Sequence, residues 1–153
     1  MKASRTPFLV LCLTAALLVP ASAASARRSG NPARDLAHQI NDFRAANGAP
    51  KLRISRSLSR SSYRYARQLI QADRFSHSSR IQASRRFRML GEVLAFQRGW
   101  RVRRKFPLGA WQRSGGHRTT LLSRGYRYIG VGRAKGRFGG RLTTIWVAQV
   151  GRR

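Results

Sequence analysis

Thirty-two of the 153 residues are lysine or arginine and four are acidic, Asp35, Asp42, Asp73 and Glu92, for a formal charge of +28. A chain so unbalanced repels itself when compact and attracts polyanions, so it folds only where its elements keep an apolar face. Arginine outnumbers lysine by 28 to four. That choice suits a bidentate grip on phosphate or carboxylate. Compositional bias in the coding DNA would also favour arginine over lysine, but it does not account for the scarcity of acids.

The first residues read as an export signal. Lys2 and Arg5 give a basic start, Phe8 to Val19 is an uncharged apolar run, and Pro20 with ASAASA offers cleavage after Ala23 or Ala26. The run is short for a bilayer span, so a signal peptide over 1–26 is expected, with a membrane anchor as the alternative. Residues 27–30 form a short tether and 31–153 one domain, expected to be secreted to the envelope or beyond and monomeric. Thirty basic residues then face four acids, a net +26. The remaining chain has no cysteine, which excludes thiolate catalysis and cysteine metal sites.

Local signals place the elements. Asn31 caps a helix with Pro32 at its first position; Leu36, Ile40 and Phe43 recur at helical spacing, and Asn47-Gly48 stops it. His38 falls on the solvent side of that helix. A second helix fits Ser57 to Ala72, with Leu58, Tyr65, Ala66 and Leu69 inward and a ridge of Arg56, Arg60, Arg64 and Arg67 outward. Each like-charged pair on that ridge costs only about 0.2–0.5 kcal/mol, so a solvated ridge needs no ligand. Residues 73–90 show no period. GEVLAF (91–96) is a short apolar element and QRGWRVRRK (97–105) reads as a basic loop around Trp100. Pro107 starts a third helix carrying Leu108 and Trp111; Gly115-Gly116 ends it, and one further turn follows over 117–122. YRYIGVGRA (126–134), the turn KGRFGG (135–140) and RLTTIWVAQV (141–150) read as a hairpin. IWVAQV lacks alternation, which implies two covered faces. Helices followed by an antiparallel pair predict an α+β fold.

FSH (75–77), GEVLA (91–95), W-x-x-S-x-G-H-R (111–118), IGVG (129–132) and a closing apolar strand follow in order. Together they resemble the CAP superfamily of cysteine-rich secretory, antigen 5 and pathogenesis-related proteins, in its disulfide-free bacterial branch, over roughly residues 31 to 151. The resemblance implies an α-β-α sandwich, a small sheet with helices on both faces, and a shallow cleft lined by two histidines and two acids. His77, Glu92 and His117 match three of those positions. Ser114 stands where the second acid is expected, and Val93 replaces the usual asparagine.

Taken by themselves, two histidines and a carboxylate can form a catalytic zinc shell, but spacings of 15 and 25 residues are no local metal motif. Three readings are open. Glu92 bridges both histidines and ties the irregular segment 73–90 to the third helix, or His77, Glu92 and His117 bind a divalent metal such as zinc weakly, or the three serve a metal-dependent hydrolase. A Ser114–His117 pair lacks a nucleophile elbow and an orienting acid. The favoured function is a non-enzymatic binding module, requiring no cofactor, for anionic envelope polymers or lipid head groups. Its contact patch would be Arg98, Trp100, Arg101, Arg103, Arg104 and Lys105. Nucleic acid would bind only non-specifically.

Overall fold

The computed structural model describes residues 30–101 and 105–153. The signal-peptide reading lies outside them. Four helices, α1 (Pro32–Ala46), α2 (Arg56–Gln71), α3 (Phe106–Arg113) and α4 (Gly115–Leu122), and four strands, β1 (Arg53–Ile54), β2 (Met89–Arg98), β3 (Tyr128–Phe138) and β4 (Arg141–Arg152), form an α-β-α sandwich. The sheet order is β1-β3-β4-β2. Its three long strands are antiparallel, and the two-residue β1 adds a parallel edge beside β3. No helix among the described residues is long and apolar enough to cross a membrane.

α1 begins where the sequence places it. The Asn31 side chain accepts from the Ala33 amide at 3.0 Å, and Gly48 takes φ +66° just after the helix. Leu36 and Ile40 are fully buried with Val93, Trp111, Ile129 and Trp146 on one face of the sheet. On the other face, Ala66 and Leu69 of α2 pack with Leu94, Ala134, Ile145 and Val147. β4 lies between β3 and β2 and is buried from Thr143 to Gly151, which is why IWVAQV carries apolar residues on both sides.

Gly130 and Gly132 set the distance between α2 and the sheet. A Cβ on Gly130 would overlap the backbone at Leu58 and Ser59, and one on Gly132 the backbone at Ser62 and Tyr63. The helix backbone therefore rests directly on β3, and the Ser62 hydroxyl donates to the Gly130 carbonyl at 3.0 Å.

Four local expectations are corrected. β2 is longer than GEVLAF and absorbs Gln97 and Arg98, because β4 continues opposite them: Gln97 pairs with Thr144 and Arg98 with Thr143. KGRF belongs to β3 rather than to a turn. Phe138 pairs with Arg141, leaving a two-residue loop of Gly139 and Gly140 at φ +55° and +69°. Two consecutive positive φ values fit the right-handed twist of a hairpin and are open to glycine. Gly115-Gly116 opens α4 instead of merely closing α3; the break is Ser114, in extended conformation between the two helices. Met89 and Leu90 begin β2 rather than ending the irregular segment.

One residue runs against the charge pattern. Arg44 is fully buried near the end of α1. Its Nε donates to the Pro50 carbonyl at 2.8 Å and its Nη1 to the carbonyls of Leu121 and Ser123, at the last turn of α4. A helix C-terminus carries partial negative charge, so these carbonyls partly replace the missing carboxylate. Burial, followed by the positive Arg127 and Arg124, pushes this guanidinium below its ordinary value.

The contact between α2 and β3 predicts that Gly132→Ala costs about 1–3 kcal/mol through overpacking. Gly116→Ala, with open space around its Cβ position, stays within about 1 kcal/mol of the parent or gains. Urea unfolding of the two variants measures the difference.

Candidate functional site

Strand register brings Glu92 to the site. In the β2–β4 ladder Glu92 is paired directly with Gln149, two residues from the Leu94–Val147 pair of the α2-side core. Side chains alternate along a strand, so both groups point to the α2 face. Val93 points the other way and is fully buried in the opposite core, so its place in the family motif is filled here by an apolar packing residue. The Glu92 side chain is 5% exposed. Its Oε2 accepts from Gln149 Nε2 at 2.8 Å, and its Oε1 accepts from the Ser78 amide at 3.0 Å.

His77 reaches Glu92 through an aromatic anchor. Phe75 packs edge-on against Phe96 at 5.1 Å and against Phe138 at 6.4 Å. Two residues later, His77 Nδ1 lies 3.3 Å from Glu92 Oε1. The His77 side chain is otherwise 58% exposed.

His117 arrives from the opposite layer. The indole of Trp111, fully buried, donates to the Leu94 carbonyl of the edge strand β2 at 2.8 Å. That bond holds α3 against β2, and α4 follows after Ser114. It brings the His117 ring to 5.9 Å from the His77 ring, tilted by 54°. Burial, and secondarily the neighbouring His77, hold His117 below the usual imidazole value of 6.5. Arg118, next in sequence, turns away from the site. It donates to Asn47 Oδ1 at 2.9 Å and covers the Phe43 ring at 5.2 Å. Ser114 is half-buried at the α3–α4 junction, where its carbonyl accepts from the Arg118 amide.

The structure thus brings His77, Glu92 and His117 to one place, with Ser114 three residues from His117. A three-ligand zinc centre needs both imidazoles and a carboxylate oxygen about 2.0–2.2 Å from a common point. Among the described residues no group of three His, Asp, Glu or Cys is so disposed. Both Glu92 oxygens are already held by protein donors. As placed, these residues do not fit such a centre. Glu92 ties the irregular segment to β2 and β4 rather than to the third helix, and the His117 ring lies tilted beside His77. Among the described residues, Glu92 makes no hydrogen bond to His117.

The basic patch is less uniform than its sequence suggests. Trp100 is 51% exposed beside exposed Arg101, and Lys105 is exposed as well. Arg98 is occupied: it donates to the Phe138 carbonyl and to Thr143 Oγ1 and covers the Phe96 ring at 5.4 Å. Arg103 and Arg104 lie outside the described residues.

Gln149 is the site residue that sequence reasoning missed. A lone amide within the apolar run IWVAQV was the available signal. A second omission is a cavity of about 350 Å³ on the α2 side of His77, which is one of its lining residues.

The sequence matches the profile of the cysteine-rich secretory protein (CAP) family over residues 37–150. The chain belongs to that family. Three solved structures share its fold. An outer surface protein of Borrelia burgdorferi is 19% identical, with a TM-score of 0.66 over 82% of this chain and 96% of that one. An extracellular protein of Bacillus anthracis containing an SCP domain is 20% identical, with a TM-score of 0.62 over 80% of this chain and 40% of its own. Venom allergen-like protein 4 of Schistosoma mansoni is 12% identical, with a TM-score of 0.57 over 82% and 92%. No curated protein matches the sequence.

Two expectations follow from the site. Glu92→Ala removes the acceptor for Ser78 and Gln149, costs about 1–3 kcal/mol, and speeds hydrogen exchange at the Ser78 amide. The depressed His117 pKa means that the unfolded chain binds more protons just below pH 6.5. Stability therefore falls as pH drops from 6.5 through the folded-state value. Comparing pH-dependent unfolding of the parent with His117→Gln checks this, since the variant loses that part of the slope.

Proposed function

We propose that this protein is an exported, non-enzymatic binding module for anionic envelope polymers or lipid head groups. The observation that carries the reading is the charge the fold cannot neutralise internally. Four acidic side chains can neutralise at most four of 32 positive charges. Even those four are partly spent elsewhere. Glu92 serves the Ser78 and Gln149 amides, and Asp73 accepts from the backbone amide of Gly139 at the hairpin turn. Most guanidinium groups therefore lack a carboxylate in their own chain. Exposed Trp100 between basic neighbours supplies the apolar body that favours an interface with anionic groups. Export is supported by the signal-like first 26 residues and by relatives described as outer surface and extracellular proteins.

The alternative, a metal-dependent hydrolase using His77, Glu92 and His117, has less support because Glu92 already serves protein donors. One zinc per chain that is lost in His117→Ala would reverse that ranking.

Binding to vesicles containing phosphatidylglycerol, and to poly(glycerol phosphate), tests the favoured reading across salt from about 50 to 300 mM, where the screening length shortens. Affinity falls steeply with salt and is weak for neutral vesicles. Trp100→Ala reduces vesicle binding several-fold. Salt-independent binding, or equal binding to neutral vesicles, would refute the proposal.

A further inference from the structure

We propose that the cavity between α2 and residues 74–82 is a discrete site for the phosphoryl group of a small hydroxylated ester, a polyol or sugar phosphate. The idea goes beyond diffuse attraction to polyanions and does not depend on it.

The cavity exists because a polar segment is stretched over a helix and pinned at several points. Residues 74–88 have no regular secondary structure, a length at which an unstructured connection within a domain usually serves a function. Phe75 anchors one end in the aromatic cluster. The Tyr65 hydroxyl donates to the Ser76 carbonyl at 2.7 Å, and Arg64 donates to the Gln82 carbonyl at 3.1 Å. Further along, the Ser84 amide donates to Ser57 Oγ at 2.9 Å. Between these ties the segment stands off from α2 and leaves a space of about 350 Å³, within the range of small-ligand sites.

Arg64 comes from the helix wall of that space, and Arg74 and Arg80 from the segment that covers it. None of the lining residues is acidic. Glu92 lies just behind the wall, where its carboxylate is taken up by three lining residues, His77, the Ser78 amide and Gln149. Three guanidinium groups around a space with no acidic lining residue, against the one carboxylate of Glu92 behind the wall, match a phosphoryl dianion better than a single carboxylate, because each can offer paired N–H donors to its oxygens. Arg64 gives one N–H to Gln82, which fixes its position across the opening and leaves its other donors for a ligand.

The remainder of the lining selects a hydroxylated ligand over a hydrocarbon tail. Serines and glutamines dominate it, and Leu69 and Ala72 are the apolar members. Gln149, 1% exposed, forms part of the wall. Its Nε2 is committed to Glu92, and its Oε1 has no hydrogen-bond partner. A buried acceptor without a donor is costly. A ligand hydroxyl reaching that wall while the phosphoryl group stays among the arginines would satisfy it; inorganic phosphate, with no carbon skeleton, is too short to do both.

Calorimetry of the purified protein with glycerol phosphate and with inorganic phosphate, near physiological salt, is the test. Arg80→Gln and Arg60→Gln each remove one charge, but Arg60 belongs to the exposed ridge of α2 and does not line the cavity. Glycerol phosphate binds saturably with one site per chain, more tightly than inorganic phosphate. Arg80→Gln weakens it by about tenfold or more, as expected for losing a charged hydrogen-bond partner, and Arg60→Gln by less than about twofold. Arg74→Gln repeats the Arg80 result, and unchanged melting curves confirm that the variants fold. Phosphatidylglycerol vesicles form a second arm. A difference between the Arg80 and Arg60 variants in both arms assigns the site to a lipid-borne ester, and in the soluble arm alone to a free one. Equal losses from Arg60→Gln and Arg80→Gln, or no saturable glycerol phosphate binding, would overturn the assignment.

Discussion

The contact of α2 with the bare backbone of β3 is the constraint from which the rest of the architecture follows. Gly130 and Gly132 let the helix lie on the strand without intervening side chains, and no residue with a Cβ could stand there without moving one of them. With α2 so close, the α2 face of the sheet has room for only a thin core. The polar pair Glu92–Gln149, next to that core on β2 and β4, lies where the segment leaving α2 can reach it. Phe75 then closes against Phe96, and His77 meets Glu92. A wider helix–sheet spacing would separate the irregular segment from β2 and remove both the network and the adjoining cavity.

The site is built from two layers that never touch each other directly in sequence. Trp111 fixes the α3–α4 unit to the outer edge of β2 by one indole hydrogen bond, and the aromatic cluster fixes the 74–88 segment to the other face. The two imidazoles meet as a result of these anchorings, not of any attraction between them. The single carboxylate is turned inward toward amide donors.

Features encoded within a few residues of each other were legible in the sequence. The Asn31 cap, the Asn47-Gly48 stop and the amphipathic stripe of α1 are short-range signals and stand where they were expected. His77, Glu92 and His117 were legible only through resemblance to a family, because spacings of 15 and 25 residues carry no geometry of their own. What stayed hidden depends on register or on the path of an aperiodic segment. Gln149 becomes a partner of Glu92 only once β2 and β4 are paired. Arg64 reads as one member of a solvated ridge until residues 74–82 fold over it. The burial of Arg44 was hidden as well, because nothing local announces that the carbonyls of α4 will meet it. The extent of KGRF as strand was likewise hidden, since the choice of turn depends on the pairing of Phe138 with Arg141.

The scarcity of carboxylates also fixes how the molecule meets acid. Most proteins gain a large positive charge as their many acidic groups take up protons, and the swelling that follows helps to unfold them. Here four carboxyl groups and three imidazoles are all that remain to be protonated, so the formal charge can climb only from +28 to +35. The fold already tolerates at neutrality most of the repulsion that acid could impose. An acidic medium would disturb it through these few groups, not through the bulk of its surface.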